Sequence, residues 1–347
     1  MGRQNVYGGF SAGEFMHVLI RDLRSDERGV ASTVGTIMAL LVFLTFLSLI
    51  VNQYVPVWMK DSEASHMNGA LGQFGGVKTS IDLQVLAAQA AQNAGFHYIP
   101  VTAASAVSLG VDGVPIFAAP SVGTLQSTPD AGAFTVQFGY LIKGVRTRVA
   151  EQSNGSIDLN VGNRYYFPQS IAYENGAVIR YQTDGQVVRA QPTFAVIRSN
   201  NSLDVSIGLV SLYGAGTVTG TSTEVVNTQV FAFDRQDYQN FAANEVLWIN
   251  HTSRYGLAWY GFMNSTLSGS LKLGGTYAQT PLDRSFTAKI GALTVYRIVV
   301  SLNPTTSIYT LRLEIHNNAA VLPLSVFRIQ HAQVQVGIGE STQNVQF

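Results

Sequence analysis

GFSAG, at Gly9–Gly13, is a literal Gly-x-Ser-x-Gly pentapeptide, the spacing of a hydrolase nucleophile elbow. That chemistry needs the pentapeptide between a buried strand and a helix, where a sharp turn presents the serine hydroxyl to a base. Here it precedes a long apolar run and has only His17 nearby, so it reads as a chance match in a Gly/Ser-rich segment. The six histidines, His17, His66, His97, His251, His316 and His331, fall at no metal-ligand spacing, and no His-Glu-x-x-His occurs. Asp234 and Asp237 lie close but flank Arg235, which reads as the solvated start of a helix. The chain has no cysteine, which excludes disulfides, thiolate zinc sites and cysteine nucleophiles together. No glycine-rich phosphate loop follows a strand pattern. The expectation is a protein that is not an enzyme, with no metal and no cofactor.

Two weaker patterns remain. Asn-x-Ser/Thr sequons begin at Asn154, Asn200, Asn250 and Asn264, all beyond the apolar run, as glycan acceptors on an exported domain would be. Tyr165, Tyr166, Trp248, Trp259 and Tyr260 have the composition of a carbohydrate platform, although core packing accounts for them more simply.

The elements that must carry these residues begin with Ile37–Val51, IMALLVFLTFLSLIV. With its uncharged flank from Val30 the run is 22 residues long, against about 20 needed for a helix to cross the hydrocarbon core. It ends in VNQYVPVWMK without a small-residue cleavage site, and Tyr54 and Trp58 stand where an interfacial aromatic belt would. Arg3, Arg21, Arg24 and Arg28 precede the run, whereas only Lys60 and Lys78 follow closely, so the N-terminus is expected in the cytoplasm and the remainder outside. Gly35 with Ala39 and Ser32 with Thr36 form small-xxx-small pairs that let helix backbones approach in lipid.

The residues opening the run, Arg28-Gly29-Val30-Ala31, resemble the class III signal peptide of archaeal type IV pilin-like proteins. The resemblance implies a prepilin peptidase cutting between Gly29 and Val30 and an apolar helix retained on the mature chain, available for self-assembly or for other pilins. The segment Tyr173–Ile197 with the polar stretch Val210–Thr223 is similar in texture to ectodomains of the same group. An uncut membrane-anchored binding or adhesion ectodomain stands as the alternative.

Charged residues make up 12% of the chain and the net charge is zero, so composition carries no nucleic-acid footprint. Pro56 is expected to kink or bound the apolar helix. Met67, Leu71, Phe74, Val77 or Lys78, and Ile81 recur at helical spacing, predicting an amphipathic stalk, with Gly69, Gly72 and Gly75 marking a break or a close backbone approach. From His97 onward, short alternating runs read as strands: 134–142, 156–161, 177–182, 186–191, 193–198, 202–212, 224–233, 286–302, 307–317 and 325–338. Thr183-Asp184-Gly185 reads as a hairpin turn, and Asp234–His251 as a helix. The expected fold is mostly β with an N-terminal transmembrane and stalk helix, α+β overall, carrying an antiparallel, β-sandwich-like ectodomain. Its expected parts are a cytoplasmic leader (1–29), a transmembrane helix (30–58), a stalk (59–95) and β-rich modules at 96–233 and 234–347.

Overall fold

The computed structural model describes residues 12–114, 117–199 and 201–339, with the backbone alone for 12–30. The chain divides into two compact units, Met1–Trp58 and Met59–Phe347.

The first unit is helical. Helix α1, Ala12–Leu49, leads into a π-helical turn at Ile50–Tyr54, and α2, Val55–Asn93, starts in this unit and belongs to the second from Met59 onward. Proline at position 56 has no N–H to donate and its ring crowds the carbonyl one turn back. The wider π turn immediately before it is where the helix absorbs this, so Pro56 neither ends nor breaks it. Among the described residues one helix, Ala31–Asn93, holds a window long and apolar enough to cross a membrane, and none of that window is buried. Its few polar side chains fold back on their own backbone. Thr36 Oγ1 donates to the Ser32 carbonyl at 2.8 Å, Thr45 Oγ1 to Leu41 at 2.7 Å and Asn52 Nδ2 to Ser48 at 2.9 Å. Such bonds hide donors that hydrocarbon could not satisfy.

The second unit is β-rich. Its strands in chain order are β1 (Ala103–Ser108), β2 (Gly123–Thr128), β3 (Ala133–Ile142), β4 (Val145–Ser153), β5 (Ser156–Val161), β6 (Gln169–Glu174), β7 (Ala177–Gln182), β8 (Gly185–Ala190) and β9 (Phe194–Ser199). There follow β10 (Ser202–Tyr213), β11 (Gly216–Gly220), β12 (Thr223–Tyr238), β13 (Val246–Ser253), helix α3 (Gly256–Leu271), β14 (Gly275–Gln279), β15 (Asp283–Ile290), β16 (Leu293–Asn303), β17 (Ile308–His316) and β18 (Leu324–Ile338). They form three sheets: β1-β12-β18-β10-β9, β11-β2-β5-β6-β7-β8 and β14-β15-β16-β17-β13-β3-β4. Pairing is antiparallel except between β10 and β18, which run parallel with Val205 opposite Phe327. Strands from both sides of residue 233 share sheets. β3 and β4 pair into the sheet of β13–β17, and β18 lies between β10 and β12.

Turn chemistry sets several of these pairings. Asn175 (φ 44°) and Gly176 (φ 80°) both take left-handed conformations between the paired Glu174 and Ala177, the geometry a two-residue type I′ hairpin demands. Thr183-Asp184 closes the β7–β8 hairpin with Gln182 opposite Gly185, as its sequence predicts. The run 286–302 is two strands, not one, folded at Gly291 (φ 60°).

The helix expected over Asp234–His251 is absent. β12 continues to Tyr238, opposite Phe327 of β18, and β13 takes over at Val246. Between them Asn240 (φ 62°) and Asn244 (φ 64°) sit in left-handed conformations that a right-handed helix excludes. Asp237 belongs to this strand. Arg328 on the neighbouring strand donates Nε and Nη2 to it at 2.9 and 2.8 Å, which, with Arg235 and against partial burial, holds its carboxyl at about 2. The helix of this region is instead α3, whose apolar residues Ala258, Trp259, Phe262, Met263, Leu267 and Leu271 occupy more than one face. That distribution gives no amphipathic stripe to read.

Two cores result. One packs α3 between the inner faces of the sheets, with Phe134, Ile249, Tyr296, Leu313, Val205 and Phe327 among its members. In the other, Met67, Phe74, Val77 and Ile81 of α2 share a core with Leu125 and Leu159 of the six-stranded sheet and Val230 and Val334 of the five-stranded one. The expected apolar stripe of the stalk therefore faces inward. Its glycines serve no close approach: a Cβ at Gly69, Gly72 or Gly75 would meet nothing within 4 Å, and the helix runs through them unbroken.

These environments predict opposite outcomes for one substitution. Gly69→Ala should stabilise the protein by about 0.5–1 kcal/mol, because alanine loses less backbone entropy in an open helical position. A Cβ at Gly256 would lie 2.2 Å from Tyr309 Cβ, so Gly256→Ala should destabilise by about 1–3 kcal/mol. Urea unfolding of the detergent-solubilised chain measures both.

Candidate functional site

Arg28, Gly29 and Val30 lie within the α1 helical backbone. Asn200 and the Gly9–Ser11 part of GFSAG fall outside the described residues. The other three sequons differ in setting. Asn154 is at the β4–β5 turn, its carbonyl accepting the Leu212 amide at 2.8 Å. Asn250 is half-buried in mid-β13, opposite Arg312 and Thr135, and Asn264 is half-buried in α3, where its side chain accepts a 3.4 Å hydrogen bond from Tyr296. The five aromatic residues do not assemble into one platform. Trp259 and Tyr260 are in the core. Tyr165 and Tyr166 sit on the 162–168 loop, and Trp248 is on the outer face of the seven-stranded sheet, with the Arg312 guanidinium 3.9 Å from its ring centroid. Among the described residues no group of three or more His, Asp or Glu side chains is placed to share a metal ion.

What the fold does bring together is buried carboxylates. Glu174 ends β6 in the six-stranded sheet and is 1% exposed. Its Oε1 accepts the indole N–H of Trp259 on α3 at 2.7 Å, and its Oε2 accepts the hydroxyl of Ser253 on β13 at 2.7 Å. Ser253 Oγ in turn accepts the Tyr255 amide at 3.0 Å. His251, also on β13 and fully buried, places Nε2 2.9 Å from Glu174 Oε1, an ion-pair distance at an angle that makes no hydrogen bond. Its Nδ1 lies 3.1 Å from the Ala133 carbonyl, and its ring stacks on Phe134 with centroids 3.8 Å apart. Tyr255 continues the chain of bonds by donating its hydroxyl to Asp158 on β5, which also accepts from Ser156. Burial pushes the Asp158 carboxyl up, with the nearby Glu174 charge adding to the shift and these hydrogen bonds opposing it.

Serine, histidine and two acids so arranged invite a catalytic reading. The geometry refuses it. Ser253 donates its proton to Glu174 rather than to His251, and Ser253, His251 and Glu174 are all buried. A nucleophile needs a base on its proton and a path for substrate. The network is a polar tie between two sheets and α3.

A second carboxylate, Glu63 on α2, is fully buried. It accepts the backbone amides of Arg164 at 2.9 Å, Tyr165 at 2.9 Å and Tyr166 at 2.6 Å, together with the Ser121 hydroxyl. Three successive N–H groups converging on one anion form a backbone nest. Burial pushes the Glu63 carboxyl up, but the Ser121 and backbone hydrogen bonds outweigh it, so the net shift is downward. Further along α2, Gln84 accepts the Val230 amide at 2.8 Å and donates to the Thr228 carbonyl at 3.3 Å. Neither residue was signalled by the sequence. A lone glutamate in a charge-poor helix is the only hint Glu63 gives.

No family model, curated protein or solved structure matches this chain.

Two stability predictions follow from the carboxylates. Glu174→Leu leaves the Trp259 and Ser253 donors buried without acceptors and should cost about 3–5 kcal/mol. Glu174→Gln keeps one acceptor and should cost about 1–2 kcal/mol. Chemical unfolding that finds Glu174→Leu as stable as the wild type would refute this role. For Glu63 the sign is set by its lowered folded pKa: the stabilisation is present above the unfolded value and is lost as pH falls through the folded one. The wild type should therefore melt higher than Glu63→Gln at pH 7, with the gap shrinking below the ordinary carboxyl value of 4.5. A gap of equal size at pH 7 and pH 3 would contradict the assignment.

Proposed function

We propose that this chain is a single-span, pilin-like surface protein whose apolar helix sits in the bilayer and whose β-rich domain is displayed outside the cell. The observation that carries the proposal is the apolar window of the helix beginning at Ala31, none of whose residues is buried. In the same molecule, α2 from Met67 to Ile81 is built into a core. A helix this apolar and this uncovered needs lipid or other helices as solvent. The arginine bias before the span supports a cytoplasmic N-terminus. The Arg28-Gly29-Val30-Ala31 junction supports processing by a prepilin peptidase, with the retained helix free to associate with other pilins. On this reading the work of the protein is structural: anchoring, display and helix-mediated assembly. Among the described sequons, the turn position of Asn154 suits a glycan better than mid-strand Asn250 or helical Asn264.

Mass spectrometry of the protein extracted from native membranes tests the proposal. A mature N-terminus at Val30 is expected. An intact leader with membrane retention would replace the pilin-like reading by the uncut anchored ectodomain, and a start well beyond Met59 would remove both.

A further inference from the structure

The outer face of the seven-stranded sheet holds a half-enclosed cavity of about 270 Å³, lined by Gln137, Arg146, Arg148, Ala150, Glu245 and Trp248 among others. Three strands build it. Trp248 of β13 lies opposite Gln137 of β3, which lies opposite Ala150 of β4. Side chains two apart on a strand share a face, so Arg148 and Arg146 follow Ala150 along β4.

The charges are not equivalent. Arg146 is charge-paired: its Nε and Nη2 donate to Glu245 at 2.8 Å each, and Glu245 also accepts the Gly139 amide at 2.9 Å. Glu245 is thereby neutralised by Arg146, with both of its oxygens already accepting hydrogen bonds. Arg148 has no acidic partner among the described residues and is exposed to solvent. The cavity therefore carries one uncompensated guanidinium, the group suited to two-point recognition of a carboxylate or sulfate. Opposite it stands Trp248, a flat apolar wall held in place by Arg312, with the Gln137 amide between as donor and acceptor.

We propose that this cavity binds a single acidic sugar residue, its carboxylate on Arg148, its hydroxyls on Gln137 and its C–H face along Trp248. Three features favour a sugar over a bare anion or an acidic peptide. The volume of about 270 Å³ falls just below the usual range of ligand pockets, about 300 to 1,000 Å³, and suits one ring rather than a chain. A carboxylate alone leaves the Trp248 wall unfilled. An aspartate or glutamate side chain offers no hydroxyls to Gln137. Binding here is independent of whether the Gly29–Val30 bond is cut, so it holds for either anchored form.

Titration of the detergent-solubilised full chain with glucuronate, followed by calorimetry and tryptophan fluorescence, tests the site. Saturable binding is expected, with glucose and acetate each at least tenfold weaker. Arg148→Ala should weaken glucuronate at least tenfold without lowering the melting temperature. Ala150→Trp, which fills the cavity, should abolish binding, and Arg297→Ala, on β16 of the same sheet, should leave it unchanged. A glucuronate-terminated oligosaccharide that matches the free sugar would make the ligand a glycan end, whereas one at least tenfold weaker would make it the free sugar acid. The proposal is overturned by absent saturation, by unaltered affinity in Arg148→Ala, or by a glutamate tripeptide that binds as tightly as glucuronate.

Discussion

A carboxylate withdrawn from water must find hydrogen-bond donors or lose its charge, and Glu174 shows how much structure that one requirement organises. It ends a strand of one sheet and draws donors from a second sheet and from α3. Ser253, Trp259 and the neighbouring His251 are consequently fixed against the same point. The Asn175-Gly176 turn directly after it gives the strand a left-handed reversal, and Asn175 accepts the Ser153 hydroxyl at 3.0 Å and the Val210 amide at 2.7 Å. One tight turn thus connects strands of all three sheets.

Glu63 and Asp158 are both carboxyls held by hydrogen bonds, yet their ionisation is shifted in opposite senses. Glu63 meets three backbone amides and a hydroxyl, enough to outweigh its burial. Asp158 has two hydroxyl donors and a second negative charge nearby, and burial prevails. The balance of donors, neighbouring charge and desolvation decides the direction in each case. The consequence is a division of labour: Glu63 is a charged anchor that secures α2 to a loop, while the Asp158–Tyr255 pair is a polar contact within the sheet packing.

Much of the β architecture was legible in the sequence because strand alternation is a local property. The strands at 156–161 and 177–182 stand where their patterns put them, and Thr183-Asp184 turns as its composition demands. The stalk stripe from Met67 to Ile81 was equally readable. The failures have physical causes. Over Asp234–His251 a loose helical spacing of aromatics competed with pairing to β18 and lost, since two left-handed asparagines break the helix between the strands. Helix α3 was invisible because it buries several faces at once. The outer cavity could not be foreseen, because its residues come from β3, β4 and β13 and meet only through sheet register.

The sequence by itself determined the apolar run, the charge bias around it and most strand positions. Each of these depends on residues within a turn or two of one another. Only the tertiary structure decided which acids are buried and which cations they pair with. The backbone donors to Glu63 lie about 100 residues away in the chain, and the donors to Glu174 about 80. Solvation is a property of the assembled surroundings, so a glutamate that reads as one more surface charge becomes an anchor, and an arginine that reads as another becomes the open side of a cavity.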